Sequence, residues 1–223
     1  MKTIAFVTQK GGAGKTTLAA SLAVAAQDAG ESVAVLDLDP QQSLTNWAAD
    51  RTAETPAVDY LEPGAIPQLP SILKALEGRG YTLVILDTAG IDSTGTHIAM
   101  QAADLCLIPS RPTKMDLRAT RATYEAAIRM QRPFLFALNQ CPPQPNNPRA
   151  TEAAQALSML GLIAEPLIMQ RADHQDAFAS GLGVTEYASD GKAAEEVRHL
   201  WVWLKKSMKG KNHGETVKTK LVG

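Results

Sequence analysis

Nine residues near the N-terminus, Gln9 to Thr17 (QKGGAGKTT), constrain the fold more than any other stretch of the chain. They follow a short apolar run, residues 3–8, and lead into an Ala-rich segment with helical character from Lys15 onward. Glycines let successive backbone N–H groups turn inward around an oxyanion, and a helix that starts at Lys15 adds its partial positive charge. A strand that ends in such a loop and reopens as a helix is the first half of a strand-helix-strand unit. Such units build parallel sheets with crossover helices.

The rest of the chain repeats that alternation. Val-, Ile- and Leu-rich runs at residues 3–8, 32–36, 81–86, 105–108, 134–138 and 162–167, with a weaker one at 58–61, read as strands. Helical patterns fall between them at 15–29, 43–49, 70–77, 96–102, 116–130, 148–160, 172–180 and 192–208. Gly30, Gly80 and Gly161 follow three of these helices, where a left-handed terminating residue belongs. The expected fold is α/β, a mostly parallel central sheet with helices on both faces. At 223 residues one domain suffices, taken as 1–209, with 210–223 as a basic tail.

Composition narrows the function. A net charge of −1 argues against coating nucleic acid by bulk charge, so any DNA contact must come from a local patch. One candidate is the C-terminal end, where Arg198, Lys205, Lys206, Lys209, Lys211, Lys218 and Lys220 face only Glu215; a solvated helix end explains the same residues. No run approaches the ~18 apolar residues that span a bilayer, and a cytoplasmic location is expected. Cys106 in an apolar run and Cys141 beside prolines lack metal-ligand spacing and read as a core thiol and a loop thiol. The four histidines are scattered and expected at the surface.

The glycine loop carries the chemistry. Lys15 would reach the β- and γ-phosphates of a nucleotide and the Thr16 hydroxyl would ligate Mg²⁺. The usual G-x-x-x-x-G-K-S/T pattern fails at its first position, where Gln9 stands. The variant K-G-G-x-x-K-S/T is met instead by Lys10, Gly11, Gly12, Lys15 and Thr16, and it resembles the deviant phosphate-binding loop of the ParA/MinD family of P-loop ATPases. Two further motifs support the resemblance: Asp37-Leu38-Asp39-Pro40-Gln41 is similar to the family's D-x-D-P-Q, and Leu83 to Asp87, followed by Thr88-Ala89-Gly90, to its Walker B strand and switch segment. Each stands at a strand's C-terminal end, where open α/β sheets bind ligands.

The resemblance implies ATP and Mg²⁺ as cofactors and slow ATP hydrolysis. Lys10, Lys15 and Asp39 would be catalytic, with Lys10 crossing to the phosphates held by a second protomer, so that two ATPs are sandwiched in a homodimer. An extra cation per site offsets the repulsion of two polyphosphates buried face to face. Gly11, Gly12, Ala13, Gly14, Lys15, Thr16 and Thr17 would cradle the phosphates. Asp87 ends a wholly apolar strand, where an unpaired carboxylate is costly, so a metal partner is expected. Thr16, Asp37 and Asp87 form the expected metal set, and Asp39 would position the attacking water. Capping of the 43–49 helix is the alternative role for either aspartate of the D-x-D pair. Family members hold adenine with later loops, here Asn139 and residues 167–173. The loop 109–116, with Arg111 and Lys114, is a candidate to move with nucleotide state.

By size the chain resembles the small ParF-type partition members: ATP dimers that bind non-specific DNA at the nucleoid, are released when a ParB-like adaptor stimulates hydrolysis, and so segregate plasmid or chromosomal DNA or position a protein cargo. Arg171, Arg198, Lys205 and Lys206 are the expected DNA contacts, with Arg118, Arg121 and Arg129 as a rival patch that could meet the adaptor. Two alternatives stay open: a MinD-like membrane-associated ATPase, and a metabolic P-loop ATPase such as a ligase or an iron-sulfur carrier. The first would use Trp201 and Trp203 beside Lys205 and Lys206 as an interfacial helix, with Trp203 exposed. Val197, Leu200, Leu204 and Met208 instead form the stripe a last helix needs to dock on its own fold, and no membrane partner is expected.

Overall fold

The computed structural model describes residues 1–209. Its strands are β1 (Lys2–Phe6), β2 (Val33–Asp37), β3 (Ala57–Tyr60), β4 (Leu83–Asp87), β5 (Leu105–Ser110) and β6 (Phe134–Leu138). They form one sheet in the order β3-β2-β4-β1-β5-β6, and every pairing is parallel. Its helices are α1 (Lys15–Asp28), α2 (Ser43–Ala49), α3 (Leu69–Gly78), α4 (Thr94–Ala102), α5 (Lys114–Arg129), α6 (Pro148–Ser158), α7 (Ala172–Ala179), α8 (Val184–Tyr187) and α9 (Lys192–Lys209).

Alternate strand residues feed two cores. Ile4, Phe6, Val35 and Ile85 face one, beneath α1, α2 and α7 to α9. Ala5, Leu36, Val84 and Leu86 face the other, beneath α3 to α6. Because both faces are covered, the strands read as unbroken apolar runs. Helix α1 is buried almost without interruption from Leu18 to Ala26, which is why its apolar residues show no single stripe; the sheet lies on one side and α7, α8 and α9 on the other.

Several sequence expectations need correction. Residues 162–167 are not a strand. Their backbone does run beside β6, with the Phe136 N–H donating to the Leu162 carbonyl and the Ala164 N–H to the Phe136 carbonyl, but only one isolated bridge forms, between Phe136 and Ile163. Pro166 has no N–H to continue the ladder. Helices α4 and α5 begin two residues earlier than expected, because the Ser93 and Thr113 hydroxyls cap them by accepting the Thr96 and Asp116 N–H groups. Gly30 and Gly80 do terminate helices at φ 89 and 90°, but Gly161 does not adopt that conformation. Its lack of a side chain serves packing: a Cβ there would lie 2.9 Å from the Phe134 ring. Cys141 is fully buried rather than a loop thiol. The short helix α8 was not anticipated.

Helix α9 docks on the fold through Val197, Leu200, Trp201 and Leu204, all buried. Trp203, expected to be exposed, is partly buried against the same core, and Val202 takes the exposed position instead. Residues 210–223, with His213 and the lysines of the expected basic tail, lie outside the described residues.

Candidate active site

Parallel register brings the three sequence motifs level. Asp87 at the end of β4 is the register partner of Asp37 on β2 and of Phe6 on β1, one residue before the glycine loop's approach. The loop itself turns through Gly12 and Gly14 at φ 80 and 79°, which a side chain would strain. Helix α1 starts with no side-chain cap and no acidic residue in its first turn, so its N-terminal N–H groups and partial positive charge face the loop. Gly90 of the switch segment closes over it: a Cβ on Gly90 would stand 3.1 Å from the Gly11 nitrogen.

Inside this cradle Lys15 is buried, and desolvation holds its ammonium below the ordinary lysine range despite the pull of Asp87 and Asp39. Thr16 Oγ1 donates to Asp87 Oδ2 at 2.7 Å. The other Asp87 oxygen, Oδ1, is buried and accepts nothing. Burial pushes the Asp87 carboxyl up to about 7; the Thr16 hydroxyl and Lys15 pull against that rise, while Asp37 and Asp39 add to it. An orphaned carboxylate oxygen beside a threonine hydroxyl fits a divalent cation, which would supply the missing partner and keep the group ionised. Among the described residues no group of three or more His, Cys, Asp or Glu side chains could hold a metal alone. That suits Mg²⁺, which takes most of its ligands from phosphate and water.

The two aspartates of the D-x-D pair part company. Asp37 is fully buried, and its Oδ2 accepts the N–H groups of Leu44 and Thr45 and the Thr45 hydroxyl, all within 3.1 Å. Its Oδ1 accepts the Asp39 N–H at 3.0 Å. Asp37 therefore caps α2 from the preceding strand, with both oxygens already occupied, and is not an open ligand of the metal set. Asp39 is half-exposed, and its carboxylate meets only the Gln41 N–H at 3.0 Å, so it has free capacity toward solvent and ligand.

Lys10 is held within its own chain. Its Nζ lies 2.7 Å from Asp116 Oδ1 at the start of α5. Asp116 also accepts from Arg111 at 3.1 and 3.2 Å and from the Thr113 hydroxyl. Burial alone would raise its pKa, yet Lys10, Thr113 and Arg111 together hold it below the usual carboxylate range. Sequence reading marked this loop as movable but missed Asp116; the Thr113-x-x-Asp116 spacing of a capped helix start was the available signal.

Asn139 braces the glycine loop. Its Nδ2 donates to the Ala13 carbonyl at 2.9 Å and would collide with a Cβ on Gly14, and its Oδ1 accepts the Gln140 N–H. Beyond it opens a cleft lined by Thr17, Leu18, Gln140, Met169, Arg171 and His174, partly the stretch expected to receive a base. His174, expected at the surface, is half-buried: its Nε2 is shut off from solvent without a partner among the described residues, and burial lowers its pKa. Arg171, expected to meet DNA, borders this cleft and is bound to Glu196 at 2.6 Å. Lys205 pairs with Glu31 at 2.6 Å and Arg198 donates to the Ser189 carbonyl. Lys206 is exposed and makes no ion pair among the described residues.

Comparison with known proteins agrees with this geometry. The family model described as VirC1 protein matches residues 1–139. The maintenance of carboxysome distribution protein A of Gloeobacter kilaueensis is 34% identical over 199 residues, covering 87% of this chain and 88% of that protein. Protein virC1 of Rhizobium rhizogenes is 28% identical over 185 residues, covering 81% and 80%. The fold is that of the MinC:MinD cell division protein complex from Aquifex aeolicus, with a TM-score of 0.77 at 18% identity over 92% of this chain and 96% of that one. With a glycine loop of two lysines, a D-x-D pair and a Walker B aspartate at three level strand ends, the chain belongs to the VirC1 family and with it to the ParA/MinD family of deviant P-loop ATPases.

Proposed function

We propose that this protein is an ATP-dependent dimerisation switch of the partition and positioning type. As an ATP-bound homodimer at the nucleoid it binds non-specific DNA, and hydrolysis stimulated by a small adaptor protein releases it to segregate DNA or position a cargo. The observation that carries this reading is the additional lysine: Lys10 stands on the loop that cradles the phosphates, but its ammonium is held by Asp116 and not by that loop, and it can serve another protomer's site once that contact breaks.

In the proposed cycle the backbone N–H groups of residues 11–17 and the Lys15 ammonium hold the β- and γ-phosphates, while Thr16 and Asp87 hold Mg²⁺ directly or through water. Magnesium supplies charge neutralisation at the phosphate oxygens. Asp39 positions the attacking water, and Lys10 of the partner protomer offsets the charge that develops on the transferred group. Asp37 acts one step removed, by fixing α2 and the Asp39 backbone. Two monomers joined by nucleotide double the basic surface offered to DNA, which makes DNA binding conditional. Lys206 and Arg198 on α9 and Arg118, Arg121 and Arg129 on α5 are its candidate contacts.

The membrane alternative is less well supported, because the apolar stripe of α9 is spent on the core. An iron-sulfur carrier needs accessible thiolates, whereas burial pushes both Cys106 and Cys141 up to about 12. Light scattering after size exclusion, with a non-hydrolysable ATP analogue and Mg²⁺, tests the switch: a doubled mass and a shift of random-sequence duplex DNA are expected. A chain that stays monomeric under those conditions rules it out.

A further inference from the structure

Asp39 opens a turn into a helix that cannot hold itself. Its carbonyl accepts the Gln42 N–H at 2.8 Å, and Gln42 leads directly into α2, a seven-residue helix with only Leu44 and Trp47 buried and no side-chain bond from Gln42 at its start. A helix that short has no stability in isolation, so the groups that grip its two ends set its position and that of the turn carrying Asp39. Asp37 grips the first end. Arg51 grips the second.

The Arg51 side chain is only 2% exposed. Its Nη1 donates to the Gly181 carbonyl and to Glu186 Oε2, both at 2.9 Å, and its Nη2 to Glu186 Oε1 at 2.9 Å and to the Thr55 carbonyl at 2.7 Å. The guanidinium lies 4.6 Å from the centre of the Trp47 ring, and Trp47 Nε1 donates to the Leu182 carbonyl at 3.1 Å. A two-pronged pair with a carboxylate fixes direction as well as distance. The segment it holds is itself wedged: Gly181 takes φ 67°, a Cβ on it would fall 2.7 Å from the Asp50 backbone, and a Cβ on Gly183 would fall 2.7 Å from Val24. Residues 181–183 therefore seat against the end of α2 on one side and against α1, the helix that opens at Lys15 and Thr16, on the other.

We propose that Arg51 is a positioning residue for ATP hydrolysis: by locking α2 to residues 181–183 it holds Asp39 in register with the phosphate cradle at the start of α1. It acts through Asp39 and touches no ligand. The kinetic half rests on the switch reading above; the mechanical half does not. Without Arg51 the phosphates keep their own loop, so nucleotide still binds and the loss falls on turnover.

The test uses the full chain carrying Arg51→Ala or the gentler Arg51→Lys, which keeps a cation beside Glu186 but loses the fork. Turnover at saturating ATP should fall about tenfold in the first and about threefold in the second, while affinity for a non-hydrolysable ATP analogue changes less than about twofold in either. In an Asp39→Ala background Arg51→Ala should lower the residual turnover no further, a result that a general loss of folded protein would not give. Amide exchange of the nucleotide-free chain should speed up about tenfold over residues 40–49 in Arg51→Ala and stay unchanged over β1 and β4. Unchanged exchange over residues 40–49, or an equal loss of turnover in both backgrounds, overturns the proposal, as does a fall in analogue affinity that matches the fall in turnover. If exchange speeds up as expected but the unmodified chain hydrolyses no ATP, the switch reading fails and the hold of Arg51 on α2 stands.

Discussion

Lys10 Nζ sits 2.7 Å from Asp116 Oδ1 of the same chain, a contact that must break before this lysine can serve another protomer. Asp116 is nearly solvent-free and would be costly to strand, but it keeps Arg111 and Thr113 when Lys10 leaves. The lysine end is part-exposed, so the contact is worth about 1 kcal/mol, or roughly a fivefold equilibrium factor. Each of the two protomers breaks one such contact, so Asp116→Asn should lower the protein concentration for half-maximal ATP-dependent dimerisation by roughly 25-fold in sedimentation velocity. In a Lys10→Ala background the substitution should have no such effect, and an equal shift in both backgrounds would show that the latch is not what restrains assembly.

Asp37 and Asp39 lie two residues apart and should fail in different ways. Asp37→Ala removes the acceptor for the N–H groups at the start of α2 and leaves them buried, at a cost of about 2 kcal/mol in unfolding free energy. Asp39→Ala touches one exposed turn hydrogen bond and should change stability by less than about 0.5 kcal/mol. Its ATP turnover should nonetheless fall by about 100-fold or more, with ATP-bound dimers persisting on DNA. Chemical denaturation and steady-state turnover of the two variants separate these effects; similar stability losses would contradict the capping role.

Asp87 makes metal binding depend on pH. Burial raises its carboxyl from 3.8 to about 7 in the folded chain, so between those values the folded state holds a proton that the unfolded state has released. Stability of the nucleotide-free protein should accordingly decline as pH rises through that window and level off above it. Mg²⁺ requires the ionised form, so Mg²⁺-dependent nucleotide affinity should rise about tenfold per pH unit from pH 5.5 and flatten above 7. Asp87→Asn should melt at a higher temperature than the unmodified chain at pH 8 while losing the Mg²⁺ dependence. Calorimetric titrations at three pH values decide the point, and a flat profile would mean that the carboxylate is ionised throughout.

Sheet and motif positions were legible because both report local chemistry. A strand buried on both faces has to be apolar throughout, and a loop that turns twice through left-handed backbone needs its glycines. What escaped were relationships between distant segments. The family resemblance puts Asp37 in the metal set, but its oxygens are filled by the N–H groups of Leu44, Thr45 and Asp39, and only the chain reversal into α2 brings the first two back. The pairing of Arg171 with Glu196 spans 25 residues and turns an apparent DNA contact into a wall of the cleft. Residues 162–167 carry a strand's composition, and it took the missing N–H of Pro166 to leave them with a single isolated bridge.

Asn139 offers the sharpest separation between support of the loop and recognition of a base. It is buried, and its amide already holds the Ala13 carbonyl at 2.9 Å and the Gln140 N–H at 2.9 Å. Asn139→Ala leaves both groups short of a partner and frees the cradle at Gly14, which lowers nucleotide affinity by about 1–2 kcal/mol, or roughly tenfold. A residue that braces the phosphates does so whatever base is attached, so affinities for ATP and GTP should fall by the same factor. A residue that reads the adenine edge gives a different result, with ATP weakened and GTP little changed. Parallel titrations of the two nucleotides distinguish the roles, and the engagement of both amide ends within the chain favours equal loss.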